Sequence, residues 1–296
     1  MLPVRKNCVS YFLFLICLLS MASCSYTGAA AHADNNKENC FESLQRRLAD
    51  DGFDKKKIEK LYSGKEVSFD TKGVSLYFVH SESKLNYDQF LEDSNIRNAK
   101  AYMEAHKSEF AAAEKAFGVD GKVIAAILLV ETKLGNYLGN RLVFNTLSSM
   151  ASLADQDMRN MLWARISRTT QLSKEEFEEK AERKSGWAYE ELKAFLKYAD
   201  KESINPLGIV GSYAGAMGLC QFMPSNISTL AKDGNSDGRI DLFEPADAIM
   251  SIANYLSNYG WYAGIDAKAA YDVVYHYNHS SYYVNTILKI AELLKG

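Results

Sequence analysis

The sequence predicts a mainly α-helical protein. Three observations carry that reading: apolar residues recur at helical spacing through most of the chain from about Ser94 onward, strand-like alternation is nearly confined to VSLYFVH at 74–80, and no internal repeat or low-complexity tract interrupts the pattern. At 296 residues and 47% hydrophobic composition the chain can bury a sizeable core. Its 34 basic and 37 acidic residues leave a net charge of −3 with no long basic block, which argues against a nucleic-acid partner and suits a neutral or saccharide ligand.

The elements follow in order. Arg5 and Lys6 precede the apolar run VSYFLFLICLLSMA at 9–22, the layout of a signal peptide over 1–23. MASC, with small residues before a cysteine, resembles a bacterial lipobox and makes Cys24 the candidate lipidated first residue of the mature chain; an ordinary cleaved signal or an uncleaved anchor is the alternative. No other apolar run approaches the ~20 residues of a membrane span. Residues 24–39 are small and polar, as expected of a lipid-anchored flexible tether, and the folded domain is expected over 40–296. Cleavage before Cys24 leaves Cys40 and Cys220, which either pair or stand as two free thiols.

Within the domain, 41–63 predicts two short amphipathic helices broken at Asp50, Asp51 and Gly52. Helical period then covers 97–117, 120–134, 142–166, 173–199, 245–259 and 280–295. The charged segment between about 166 and 195 reads as a solvated helical hairpin.

Four motifs carry chemistry. In AAILLVETKLGNYLG, 125–139, Glu131 shares a helical stripe with Ile124, Ile127, Leu128 and Leu134, between a cap at Asp120 and a helix stop near Gly135. Burial disfavours a carboxylate, so such a side chain keeps its proton near neutral pH and can act as a general acid; the alternative is a stripe-edge glutamate paired with a cation such as Lys133. GSYAGAMGLCQFMPS, 211–225, crowds small residues around Ser212, Tyr213, Gln221 and Phe222, which suits either close approach of a sugar or a tightly packed loop. DGNSDGRIDLFE, 233–244, meets the calcium-loop pattern at every specified position, with oxygens from Asp233, Asn235 and Asp237, the carbonyl of Arg239 and a late carboxylate at Glu244; a solvated acidic turn is the other reading. YHYNHSSYY, 275–283, places aromatics around Asn278 ahead of a final helix capped by Ser280.

Taken together and in order, GFDKKKIEKLYS (52–63), VIAAILLVETKLGNYLG (123–139), SYAGAMGLCQFMPS (212–225), DGNSDGRIDLFEPADAI (233–249), ANYLSNYGW (253–261) and YNHSSYY (277–283) resemble the lytic murein transglycosylases of the membrane-bound B type. The resemblance implies a lysozyme-like α-helical core that grips peptidoglycan glycan strands. It makes Glu131 the catalytic acid and base, Ser212, Gln221, Tyr277 and Asn278 the sugar-binding set, and a calcium ion in an EF-hand-like loop at 233–247 a structural brace, with no organic cofactor. It favours Asp247 over Glu244 as the late calcium ligand. The expected reaction is non-hydrolytic cleavage between N-acetylmuramic acid and N-acetylglucosamine to give 1,6-anhydromuramic acid ends. A hydrolytic muramidase and a non-catalytic glycan-binding lipoprotein are the rival functions. Ser25 after Cys24 fits an outer-membrane lipoprotein facing the periplasm, and a monomer is expected. Two departures stand out: the connection from Trp261 to Tyr277 is short where the relative carries a long insertion, and 166–195 fits the family poorly.

Overall fold

The computed structural model describes residues 40–79 and 86–295; the signal segment, the tether and Cys24 lie outside the described residues. Thirteen α-helices are described there, running from α1 (Glu42–Asp50) and α2 (Lys55–Tyr62), the amphipathic pair read from the sequence, to α13 (Ser281–Leu293) at the C-terminal end. Phe41, Leu44, Leu48, Ile58 and Tyr62 turn one face of the first pair into the core.

The segment with strand-like alternation is a helix, α3 (Thr71–Val79). Asp70 starts it: one carboxylate oxygen accepts the Gly73 N–H at 2.9 Å, and its carbonyl accepts the Val74 N–H. Val74 and Phe78, four apart, are buried, while Leu76 and Tyr77 pack on Tyr213 and Ala214. With apolar residues on both sides, the alternation could not tell strand from helix, and the cap decided it.

Two predicted helices are each divided. The 97–117 segment forms α4 (Asp93–Ala105) and α5 (Lys107–Phe117), parted at His106, which leaves helical angles (φ −116°, ψ 32°) with its ring 4.4 Å from that of Tyr102. The 142–166 segment forms α7 (Val143–Ala151) and α8 (Gln156–Ile166); a 3₁₀ turn intervenes and Asp155 caps the new helix by accepting the Asp157 N–H. The expected solvated hairpin is instead one 28-residue helix, α9 (Lys174–Lys201), opened by a capping box at Ser173 and Glu176. One face is core, with Phe177, Ala181, Ala188, Leu192 and Phe195 buried, which the abundance of charge on the other faces concealed.

At the centre lies α6 (Gly121–Thr132), capped by Asp120 and buried at almost every position. It packs against α4, α5, α13 and α11 (Pro245–Asn258). A helix that is apolar all round belongs inside the molecule, and α6 is enclosed accordingly. Short elements complete the frame: α10 (Pro224–Leu230), α12 (Ala267–Tyr277), and a two-residue antiparallel ladder of β1 (Arg141–Leu142) with β2 (Val210–Gly211), registered Arg141 to Gly211. Among the described residues no helix is long and apolar enough to cross a membrane.

Candidate active site

Glu131 sits in the last turn of α6 and is 3% exposed. The Tyr283 hydroxyl on α13 donates to its Oε1 at 2.7 Å. Among the described residues no cation reaches it, so the pairing with Lys133 that the sequence left open does not form. Burial pushes the carboxyl up to about 8, against the smaller, opposing pull of the Tyr283 hydrogen bond. At neutral pH the group holds its proton, as a general acid must.

The backbone after Glu131 is unusual. Lys133, Leu134 and Gly135 all have positive φ (51°, 60° and 90°), so the helix stop begins two residues before the glycine that signals it. Thr132 fixes this turn: its hydroxyl donates to the Leu219 carbonyl at 3.1 Å and accepts the Gly135 N–H. Through that contact the end of α6 is tied to the small-residue loop.

That loop folds on itself. The Ser212 hydroxyl oxygen accepts the N–H groups of Ala214 and Ala216 (3.2 and 3.1 Å), while Met217 and Phe222 exchange backbone hydrogen bonds. Gly218 needs to be glycine: φ is +76° and a Cβ there would lie 2.5 Å from that of Leu242. Gln221 takes the left-handed region without that excuse (φ 49°), and its side-chain amide donates to the Gly218 carbonyl at 2.9 Å. A non-glycine residue held there costs about 1 kcal/mol or more, a strain common at functional sites. Phe222 is core, packed on Tyr255 and Tyr277, and Tyr213 is 7% exposed.

Tyr277 closes the site from α12. Its hydroxyl donates to the Cys220 carbonyl at 2.6 Å, and its ring stacks on Tyr283 with centroids 6.4 Å apart. Asn278 ends α12 and is 2% exposed. Glu131, Gln221, Tyr277 and Asn278 thus gather around the junction of α6, the 212–222 loop and the α12–α13 connection. Ser212 lies further along the same loop, with no described contact to Glu131. Tyr283 was missed in the sequence. It stands inside YNHSSYY, and its position three residues after the Ser280 cap, on the first turn of α13, was the available signal.

The 233–247 segment makes no described hydrogen bond or ion pair to Glu131. Asp233 accepts from the Asp237 and Gly238 N–H groups, Asn235 from Asp237, and Asp237 from Arg239, a set of tight turns that converges these side chains. Glu244 accepts from the Asn235 amide at 3.0 Å. Asp247, 1% exposed, accepts the Gly234 and Asp241 N–H groups at 2.7 Å each. Among the described residues no group of three or more His, Cys, Asp or Glu is gathered as a ligand set. The oxygens on offer are mixed carboxylate, carboxamide and carbonyl, a donor set that suits a hard cation such as calcium. The segment also reaches the 212–222 loop, since the Leu219 N–H donates to the Leu242 carbonyl at 2.8 Å. Cys220 is a buried free thiol, and it does not pair with Cys40.

A family model described as "Transglycosylase SLT domain" matches residues 36–270. The chain belongs to the transglycosylase SLT domain family. Membrane-bound lytic murein transglycosylase B of Escherichia coli is 31% identical over 176 residues, a match covering 60% of this chain and 41% of that protein's length. Three solved structures share the fold. Soluble lytic transglycosylase SltB1 from Pseudomonas aeruginosa superposes with a TM-score of 0.70 at 23% identity, covering 85% of this chain and 97% of that one. SltB3 from the same organism, in complex with NAG-anhNAM-pentapeptide, gives 0.69 at 19%, covering 88% and 80%. Escherichia coli lytic transglycosylase Slt35 in complex with calcium gives 0.67 at 21%, covering 88% and 93%. The V-E-T glutamate and the 212–222 loop lie within the matched residues, and the 277–283 segment, just beyond them, meets both through Tyr277 and Tyr283.

Proposed function

We propose that this protein is a peptidoglycan lytic transglycosylase that cuts between N-acetylmuramic acid and N-acetylglucosamine and leaves 1,6-anhydromuramic acid ends. The observation that carries the proposal is the buried, protonated Glu131 held by Tyr283 beside the loop of Gln221 and the Tyr277–Asn278 turn. Family membership and the likeness to a protein named for murein cleavage support it.

Glu131 gives its proton to the glycosidic oxygen as the C1–O bond breaks, and the muramoyl acetamido group stabilises the positive charge at C1. The resulting carboxylate takes the proton of the same sugar's 6-hydroxyl as that oxygen closes on C1. Proton and bonds balance without water. One carboxyl group serves both steps, where hydrolases of this kind employ two. Ser212, Gln221, Tyr277 and Asn278 hold the sugar so that the 6-hydroxyl outcompetes solvent, an advantage of positioning.

Calcium at Asp233, Asn235, Asp237 and the Arg239 carbonyl, with Asp247 or Glu244 as the late ligand, would stiffen the segment that hydrogen-bonds Leu219 and so steady the sugar loop. The calcium complex of Slt35 supports this part of the reading. The expected location is an outer-membrane lipoprotein anchored through Cys24, with the domain acting as a monomer on the periplasmic wall.

Digestion of purified sacculi followed by mass spectrometry tests the reaction. Products lighter by one water than reducing-end muropeptides are expected from the wild type and none from Glu131→Gln. Reducing ends would establish a muramidase, and equal sacculus binding by both proteins without release would establish a binding protein. For calcium, chelation is expected to lower the melting temperature, and Asp237→Ala to remove most of that response; an identical melting curve with and without chelator would refute the ion's role.

A further inference from the structure

Glu191 is a buried acid that the bond-breaking chemistry leaves unused. It lies on α9, within the 166–195 segment and outside the stretches that carry the family resemblance, and it is 4% exposed. One residue of another element occupies both of its oxygens: Oε2 accepts the Ser225 N–H at 2.9 Å, and Oε1 accepts the Ser225 hydroxyl at 2.8 Å. Burial pushes the carboxyl up, and the two Ser225 donors oppose that. α10 already packs on α9 and buries Ile227 and Leu230. Apolar contact would join the two helices without taking a carboxyl group out of water, so the grip on Ser225 calls for another reason.

The position of Ser225 supplies one. It stands four residues after Gln221, at the end of Q-F-M-P-S, and Gln221 holds a left-handed backbone (φ 49°) without being glycine. Such a conformation persists only where its surroundings over-determine it. On the upstream side, Leu219 is held by the Leu242 carbonyl and by Thr132, and Cys220 by Tyr277. On the downstream side the tie is Glu191 to Ser225, and Pro224, with its fixed φ, limits the slack between. α9 braces the upstream side as well. Tyr198, two helical turns after Glu191, donates to the Ile240 carbonyl at 2.9 Å, two residues before Leu242.

We propose that Glu191 is a positioning residue: by gripping Ser225 on both donors it holds Gln221 in its left-handed conformation for the glycan. This rests on the reading that the site takes peptidoglycan. Its described hydrogen bonds go to Ser225 and not to Glu131 or Gln221, so its effect runs through the backbone from 221 to 225. A carboxylate suits the task because both Ser225 groups donate, whereas an amide sets an NH2 group against one of them.

Amide hydrogen exchange and glycan binding in the full chain test this. In Glu191→Gln, exchange of the Gln221 N–H, bonded to the Gly218 carbonyl, and of the Phe222 N–H, bonded to the Met217 carbonyl, is expected to quicken roughly tenfold or more. Ser225→Ala, which removes the hydroxyl alone, should give a smaller increase, and Ser225→Thr, which keeps both donors, none. Phe177→Leu, a core substitution near the other end of α9, controls for lost stability: it should lower the melting temperature without that local response. In the Glu131→Gln background, Glu191→Gln is expected to weaken binding of amidase-stripped glycan strands about three- to tenfold, and to add nothing once Gln221→Gly is present. Unchanged exchange at 221 and 222 in folded Glu191→Gln and Ser225→Ala proteins overturns the proposal without any substrate. A binding loss of the same size in the Gln221→Gly protein also overturns it, because the effect would then run elsewhere. Faster exchange with no strand binding by Glu131→Gln itself overturns the peptidoglycan reading, and with it the role assigned to Glu191.

Discussion

Glu131 and Asp247 are both almost completely buried carboxylates, yet they are built for opposite ends. Asp247 is met by two backbone N–H groups, one on each oxygen, which stitch the start of α11 to both arms of the 233–241 loop. Glu131 is met by one hydroxyl, from Tyr283, at the end of an apolar helix. Burial raises both groups, but two amide donors work against it at Asp247, whereas one phenol leaves Glu131 at about 8. On the proposed mechanism, burial alone therefore does not mark a catalytic acid. What marks it is burial with too few donors to hold the anion.

Glu131→Gln sharpens this contrast most. Turnover is expected to fall about 10³-fold or more, checked by release of muropeptides from sacculi. The same substitution should stabilise the protein, and the sign follows from linkage. The unfolded chain releases the Glu131 proton near 4.5, while the folded chain keeps it to about 8, so native stability falls as pH rises between those values. The slope amounts to about 4 kcal/mol across the window. Melting curves at pH 5 and pH 8.5 should separate for the wild type and converge for Glu131→Gln; parallel curves would mean that Glu131 is ionised in the fold.

Asp247→Ala should show the reverse character, a structural loss. Two N–H groups deprived of their acceptor cost about 2–4 kcal/mol, read as a shift in the denaturation midpoint. Activity measured well below the new melting temperature should fall far less than in Glu131→Gln. An activity loss as large as that of Glu131→Gln, in a protein that is still folded, would erase the distinction between the two carboxylates.

Tyr283→Phe is the mildest of the three. The hydrogen bond from Tyr283 favours the Glu131 anion, so its removal moves the alkaline limb of the rate profile to higher pH, by about half to one pH unit, with roughly tenfold lower turnover from the misplaced carboxyl. A limb that shifts downward would assign the hydroxyl a different partner.

Much of this could be read from the residues. The caps at Asp120 and Ser280 were visible, as was the apolar stripe that buries Glu131, because each depends on local spacing. The helix at 71–79 was hidden: its apolar residues fall on both faces, and the Asp70 cap is shared with the Arg141 ion pair, a contact across the fold. The core face of α9 was masked by its many charges, and the breaks at His106 and Asp155 by uninterrupted apolar recurrence. Tyr283 could be placed on a helix, but its partner lies 152 residues away in sequence, and only the packing of α13 on α6 joins the two.

The position of Glu131 along α6 has a further consequence. It stands one residue from the helix's end, where the final carbonyls point onward and the aligned peptide dipoles present their negative pole. That pole repels an anion, so the backbone itself helps to keep the carboxyl neutral until, in the proposed reaction, the departing glycosidic oxygen draws the proton away. A glutamate one turn earlier on the same stripe would be equally enclosed yet a weaker proton store, because it would lie outside the reach of those carbonyls.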